Sequence, residues 1–479
     1  MPPTEQPIHF IGIGGIGMSA LAMILRDRGY SVSGSDKKSL ENLKHLKLDQ
    51  IKIFHKQTEQ NIWEIQKNQS REPVIVISSA IEKNNEELQA ARRAGLQVIH
   101  RSDLLAGLIR AHKSVVVAGS HGKTTTSTLI TTLLALAKQD PTAVIGGLVP
   151  YYQSNGHAGT GDLLIAEGDE SDGTIAKFEP SLGVITNLEL EHIDYYHNLD
   201  ELIVKIKKFS MNCKELIANY DCPNLMNNFK PKYWWSIKKT KQIDFAAEIV
   251  CSKKDNFIVN YFEKGVFIDQ IEVPIPGVLN LSNAIGAIGA CRILGISFKE
   301  IKNSLHLLKT PARRFELKGT WKGRQIIDDY AHHPTEIDAT IEIALNQLKE
   351  KQKSVSLPSP KLIAVFQPHR FTRTKQFLKE FALSLEKANK IILTPVYAAG
   401  ENFIENADSN AIKKEICKIK PNSDVIVAED LNQATDLIKS KSNKNDIVLM
   451  IGAGNINTIW NLLNAKEVSH QCLENKKAA

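Results

Sequence analysis

Two glycine-rich loops, each set between an apolar run and an amphipathic one, constrain this chain more than any other feature. The first is Gly12-Ile13-Gly14-Gly15-Ile16-Gly17; the second is Gly119-Ser120-His121-Gly122-Lys123-Thr124-Thr125-Thr126. A strand that turns sharply into a helix presents that helix's unpaired N–H groups and positive dipole end to whatever fills the turn. Each loop is therefore suited to an anion. Two such units predict an α/β chain with mostly parallel sheets and two phosphorylated ligands, one an energy source and the other a substrate.

The flanking patterns support three domains, a number that 479 residues accommodate. Residues 1–112 alternate strand-like and helix-like runs and read as a Rossmann-like domain. Residues 113–309 read as a central P-loop ATPase-like domain with a mostly parallel sheet. Residues 310–479 repeat the alternation as a C-terminal Rossmann-like domain. Expected strands include Ile8–Ile13, Tyr30–Ser35, Val74–Ser78, Leu163–Glu167, Leu182–Thr186 and Ile447–Ile451; expected helices include Met18–Arg28, Asn283–Leu294, Pro334–Leu348 and Phe377–Ala388. The Lys/Ser/Pro-rich stretch between Lys349 and Pro360 reads as an exposed loop and the polar last dozen residues as a frayed end.

Composition excludes several classes. No apolar run reaches the roughly 18 residues of a membrane span, and the start lacks a signal-peptide layout, so a cytoplasmic protein is expected. The six cysteines form no C-x-x-C pair, which argues for reduced structural thiols rather than zinc or redox chemistry. The net charge of +7 is spread along the chain without a basic helix interleaved with aromatics, so nucleic acid is not implied and anionic small molecules are.

Gly12, Gly14 and Gly17 satisfy G-x-G-x-x-G, and Asp36 closes the next expected strand 36 − 17 = 19 residues later. Glycines let the backbone approach a pyrophosphate, and such an acid accepts from a ribose hydroxyl. The pattern fits NAD and a nucleotide sugar alike. The second loop has Val117 where a complete Walker A would have Gly, but it keeps G-x-x-G-K-T-T. Gly119 and Gly122 permit a backbone nest, Lys123 neutralises β and γ phosphates, and the Thr124 hydroxyl can join a Mg²⁺ shell. Mg²⁺ also needs hard oxygens. Glu167-Gly168-Asp169-Glu170-Ser171-Asp172 follows a strand-like run and supplies carboxylates at a sheet edge. His192, after another apolar run, can bind a second metal or steer an amine.

Together these segments resemble the Mur ligase family, ATP-dependent enzymes that add amino acids to the peptidoglycan precursor. The resemblance spans the chain and includes, in the third domain, Arg313-Arg314-Phe315-Glu316, Asp328-Asp329-Tyr330-Ala331-His332-His333-Pro334-Thr335-Glu336 and Phe366-Gln367-Pro368-His369-Arg370-Phe371. Met18-Ser19 after the first loop and the paired histidines point to the branch that joins L-alanine to UDP-N-acetylmuramate. The resemblance implies that Gly14, Gly15, Ile16, Gly17, Asp36, Ser78 and Ser79 hold the uridine diphosphate. It implies ATP contacts from Gly119, Ser120, His121, Gly122, Lys123, Thr124, Thr125, Asn283, Arg314 and Asp329. Thr124, Glu170 and His192 would hold Mg²⁺; Lys123, Glu170, His192, Arg314 and His332 would serve the chemistry; His333, His369 and Arg370 would face the amino acid. A monomer or weak homodimer is expected. Gly168 stands where the family commonly has Ala, and Leu279 where it commonly has His.

Overall fold

The computed structural model describes residues 2–37, 51–67, 71–171, 173–191, 195–253, 256–352 and 359–465. The tail beyond residue 465 and most of the Lys/Ser/Pro-rich stretch lie outside them.

The first sheet comprises β1 (Ile8–Ile11), β2 (Val32–Ser35), β3 (Lys52–Phe54), β4 (Val74–Ile77) and β5 (Val98–His100), in the order β3-β2-β1-β4-β5. Its neighbouring strands all pair in parallel. The strand order reverses beside β1, so the crevice at the carboxyl ends of β1 and β4 is where such sheets bind ligands. The first glycine loop leaves β1 there and enters helix Ile16–Asp27.

The second sheet contains β6 (Lys113–Ala118), β7 (Thr142–Val149), β8 (Ser154–His157), β9 (Leu163–Glu167), β10 (Leu182–Ile185), β11 (Glu215–Asn219), β12 (Tyr233–Ser236), β13 (Phe245–Lys253), β14 (Asn256–Glu263) and β15 (Val266–Val273). Their order is β15-β14-β13-β12-β11-β10-β6-β9-β7-β8. β6 is buried on both faces: Val115 and Val117 join one core, Val116 and Ala118 another. That explains its unbroken apolar run, which a strand covered on both sides requires. The antiparallel hairpins β7–β8 and β14–β15 depart from the expected alternation.

The third sheet contains β16 (Glu316–Trp321), β17 (Arg324–Asp329), β18 (Leu362–Phe366), β19 (Lys390–Leu393), β20 (Val425–Val427) and β21 (Ile447–Ile451), ordered β16-β17-β21-β18-β19-β20. Only the β16–β17 pairing is antiparallel among those described. The expected helix Phe377–Ala388 is present as Leu378–Leu385, and a separate short helix, Phe371–Gln376, precedes it across Phe377.

The three sheets make two compact units. One comprises Met1–Cys251, Phe257–Ile275 and Asn280–Ala312; the other comprises Ser252–Asn256, Pro276–Leu279 and Arg313–Ala479. The first two sheets fall in one unit because they share a core. Met18, Leu21 and Leu105 of the first join Val144, Ile175 and Phe178 of the second in one apolar cluster. Gly156 on β8 lies so close to helix Ile16–Asp27 that a β-carbon there would stand 2.8 Å from the Cα of Ala20.

Candidate functional site

Sheet order explains why the P-loop meets carboxylates. β6 lies between β9 and β10, all three parallel, so the loop after Ala118 is flanked by the turns after Glu167 and Ile185. Gly119 has φ +127° and Gly122 φ +79°, both open to glycine and strained for other residues. Space demands them too. A β-carbon on Gly119 would come 2.2 Å from Thr186 Oγ1, and one on Gly122 would come 2.6 Å from Asn283 Oδ1. Asn283 sits inside helix Val278–Ile293 and backs the loop.

The loop is pinned to the β10 turn. Asn187 accepts from the His121 N–H at 2.8 Å and donates to the His121 carbonyl at 2.9 Å. Ser120 donates its hydroxyl to the Glu189 carbonyl at 2.8 Å, and His121 Nε2 lies 3.3 Å from Glu189 Oε2. Helix Lys123–Leu136, which includes Thr125, and helix Ile16–Asp27 both begin at glycines without a side-chain cap. Helices starting after Asn85, Asn198 and Ser297 carry one. The two loop helices thus keep N–H groups available to an anion.

Lys123 Nζ donates to Glu170 Oε1 at 2.8 Å and to the carbonyls of Gly119 at 2.6 Å and Ser120 at 3.0 Å. Burial works against its charge, but Glu170, Glu191 and Glu167 outweigh it and hold the ammonium's pKa above its ordinary value. Thr124 Oγ1 donates to Glu167, 2.9 and 3.0 Å from its two oxygens, and Gly146 N–H donates to the same carboxylate at 2.8 Å. Glu167, the last residue of β9, was legible only as part of an acidic run; its pairing with Thr124 requires the strand order. Gly168 has no methyl, and Ile175 fills the space, its Cδ1 standing 2.8 Å from where a β-carbon would be. His192 and Asp172 lie outside the described residues.

At the first loop, Gly12 has φ +83°, and the Gly12 and Ile13 amides donate to the Ser35 carbonyl at 2.8 and 3.0 Å. Asp36 Oδ2 accepts the Gly14 N–H at 2.8 Å, which ties the fingerprint acid to the loop itself. Gly15 caps the helix, Ile16 begins it and Gly17 faces Arg101. Ser78 and Ser79 follow β4, and Ser79 Oγ lies 3.2 Å from His100 Nε2. A polar cavity of about 370 Å³ opens at this edge, lined by Lys37, Gln57, Ile81, Glu82, Asn84 and Asn85 among others.

The other unit gathers the third-domain residues. Arg313 and Phe315, both with positive φ, bracket Arg314. Arg313 is fixed by Asp328 at 3.1 Å and the Gly452 carbonyl at 2.6 Å, so backbone strain here is held by surrounding contacts. Arg314 reaches Glu336 at 3.4 Å, and Glu336 also accepts the backbone N–H groups of His332 at 3.1 Å and His333 at 3.4 Å. Asp329 accepts from Phe315 N and Ala331 N, each at 2.7 Å; burial raises its pKa to about 6, against the pull of Arg314. His369 stacks on Tyr397 with centroids 5.5 Å apart and faces His332 at 6.2 Å. Burial, with Arg373 and Arg370 beside it, lowers His369 to about 4; burial also takes His332 well below its ordinary value. Both imidazoles are neutral at pH 7. Arg370 lies 3.5 Å from Glu401, and Arg373, which sequence reasoning missed, touches His369 Nδ1 at 3.2 Å.

Family models match along the chain. Residues 7–113 match the Mur ligase family catalytic domain, 117–291 the Mur ligase middle domain and 313–454 the Mur ligase glutamate ligase domain. The UDP-N-acetylmuramate–L-alanine ligase of Prochlorococcus marinus (strain MIT 9313) is 52% identical, covering 98% of this chain and 96% of its own. That of Synechococcus sp. (strain CC9605) is 50% identical over 96% and 98%. Among solved structures, the UDP-N-acetylmuramate–alanine ligase of Thermotoga maritima shares the fold with a TM-score of 0.80 at 24% identity, covering 97% of this chain and 99% of its own. A murein peptide ligase from Psychrobacter arcticus superposes with a TM-score of 0.67 at 21% identity, over 96% and 98%. Matched by three family models in succession and by relatives half identical along almost its full length, the chain belongs to the Mur ligase family.

Proposed function

We propose that the chain joins L-alanine to the lactyl carboxylate of UDP-N-acetylmuramate at the expense of ATP, releasing ADP and phosphate. The observation that carries this reading is the Lys123–Glu170 pair, 2.8 Å apart beside Thr124–Glu167 in the P-loop, in a chain so similar to alanine-adding relatives. A carboxylate does not condense with an amine in water because oxide is a poor leaving group. In the first step its oxygen attacks the γ-phosphorus, the bond to the ADP oxygen breaks, and an acyl phosphate forms. In the second, the alanine amine attacks the carbonyl, phosphate leaves and the nitrogen loses a proton.

Several residues support these steps. Lys123 would exchange its loop carbonyls for phosphate oxygens as the nest of Gly119–Thr125 closes on ATP, with Asn283 behind it. Thr124, Glu167 and Glu170 form a hard-oxygen set that fits Mg²⁺, which would offset charge on the transferring phosphoryl group. Arg314, placed by its strained neighbours, is a cation suited to a phosphate oxygen, and Asp329 lies close enough to feel its charge. His332, His333 and His369 would face the alanine, while Arg370 and Arg373 offer cations to the amino acid's carboxylate. The first loop, Asp36, Ser78, Ser79 and the adjoining cavity would take the uridine diphosphate. Among the described residues no helix is long and apolar enough to cross a membrane; work in the cytoplasm, as a monomer or weak homodimer, is the fitting setting. The test is ADP release with UDP-N-acetylmuramate and a panel of amino acids. Alanine-dependent ADP and a new amide are expected; neither product from both nucleotides, magnesium and alanine would overturn the reading.

A further inference from the structure

The two loops differ in one respect. The second carries its own cation, Lys123, whereas no residue from Gly12 to Ser19 is basic. The Asp36 carboxylate accepts the Gly14 N–H at 2.8 Å, and its charge repels a phosphate. A doubly charged pyrophosphate there, held by backbone N–H groups and the helix dipole, gains further from a cation supplied from elsewhere.

Arg101 occupies that position. It opens helix Arg101–Ala111, whose start is fixed by a capping box of His100 and Asp103. Lys177 Nζ ties Asp103 to the central domain at 2.6 Å. One guanidinium nitrogen, Nη1, lies over the first loop, 3.1 Å from where a β-carbon on Gly17 would be. The other, Nη2, donates to Asp169 Oδ2 at 2.8 Å. Asp169 adjoins Glu170, the partner of Lys123.

We propose that Arg101 is a further binding residue for the phosphates of the nucleotide sugar and, through Asp169, positions the turn that carries Glu170. The planar fork of an arginine can hold two oxyanions at once, which a lysine does less well. This inference rests on the proposed role of the first loop.

Calorimetric titration of the full chain with UDP and with uridine tests it. Arg101→Ala weakens UDP binding about tenfold, while uridine, which lacks the phosphates, stays within about twofold. Parental UDP affinity, or an equal loss for both ligands, overturns the phosphate contact. If Arg101→Ala melts at the assay temperature, Arg101→Lys carries the same comparison, with a smaller loss confined to UDP. Asp169→Asn keeps UDP affinity within about twofold but lowers kcat at saturating substrates; an unchanged kcat removes the positioning role. A parental chain that binds no UDP fails the first-loop reading instead, and so is distinguishable.

Discussion

Lys123 and Glu170, 47 residues apart in sequence, meet at 2.8 Å in a pocket where the carboxylate side chain is 1% exposed. The carboxylate helps keep the ammonium charged. The ammonium that would receive phosphate oxygens is therefore already balanced, and ligand binding redistributes an existing charge pair.

Lys123→Ala should reduce alanine-dependent phosphate release on the order of a hundredfold or more, since it removes both a phosphate contact and charge compensation. It should also lower stability, because breaking a buried pair from one side costs about 3–5 kcal/mol. A phosphate-release assay and a thermal melt measure the two effects. Parental turnover would remove Lys123 from the chemistry.

Glu170→Gln preserves shape and removes one charge from the oxygen set. The Mg²⁺ concentration for half-maximal rate should rise about tenfold. Thermal-shift titration with Mg²⁺ and ATP should report a matching loss of stabilisation. An identical magnesium curve would exclude Glu170 from the metal site.

Asn187→Ala and Asp36→Asn should separate the two loops. The first removes two hydrogen bonds to His121, worth about 1–3 kcal/mol together, so KM for ATP should rise about tenfold with little change for the nucleotide sugar. The second weakens the hold on Gly14 and should raise KM for the nucleotide sugar alone. If both variants shift both constants equally, the loops are not independent sites.

Acid should weaken the third-domain unit. His369, lowered to about 4, takes up its proton later in the folded state than in the unfolded chain. Its contribution is intact above about pH 6.5 and lost as pH falls towards 4; His332 acts in the same direction. Asp329, raised to about 6, acts oppositely, adding stability as pH falls through that value. His369→Gln should shrink the stability lost between about pH 7.5 and about pH 5 by roughly 1 kcal/mol, read from urea melts. Equal losses in variant and parent would contradict the assignment.

The loops were legible because local chemistry dictates them: a strand, glycines forced into positive φ and a helix. Lys123 and the acidic turn were legible for the same reason. The pairing of Thr124 with Glu167, and of Asn187 with His121, was not, because it depends on β6 lying between β9 and β10. Nothing local fixes that crossover order. The fingerprint acid Asp36 was expected to face a ribose; its bond to Gly14 arises from the loop folding back over β2. Hairpins β7–β8 and β14–β15 leave no strand–helix alternation in the sequence because no helix separates their strands. Arg101 and Arg373 carry no local sequence signal, and only tertiary neighbours distinguish them.

The apolar seam joining the first two sheets has a practical consequence. A fragment ending near His112 would leave Met18, Leu21 and Leu105 facing solvent, because their cover comes from Val144, Ile175 and Phe178. The opening glycine turn is thus not a portable cassette: grafted or expressed alone it should aggregate, and exchanging it between relatives requires carrying the β7–β8 hairpin along.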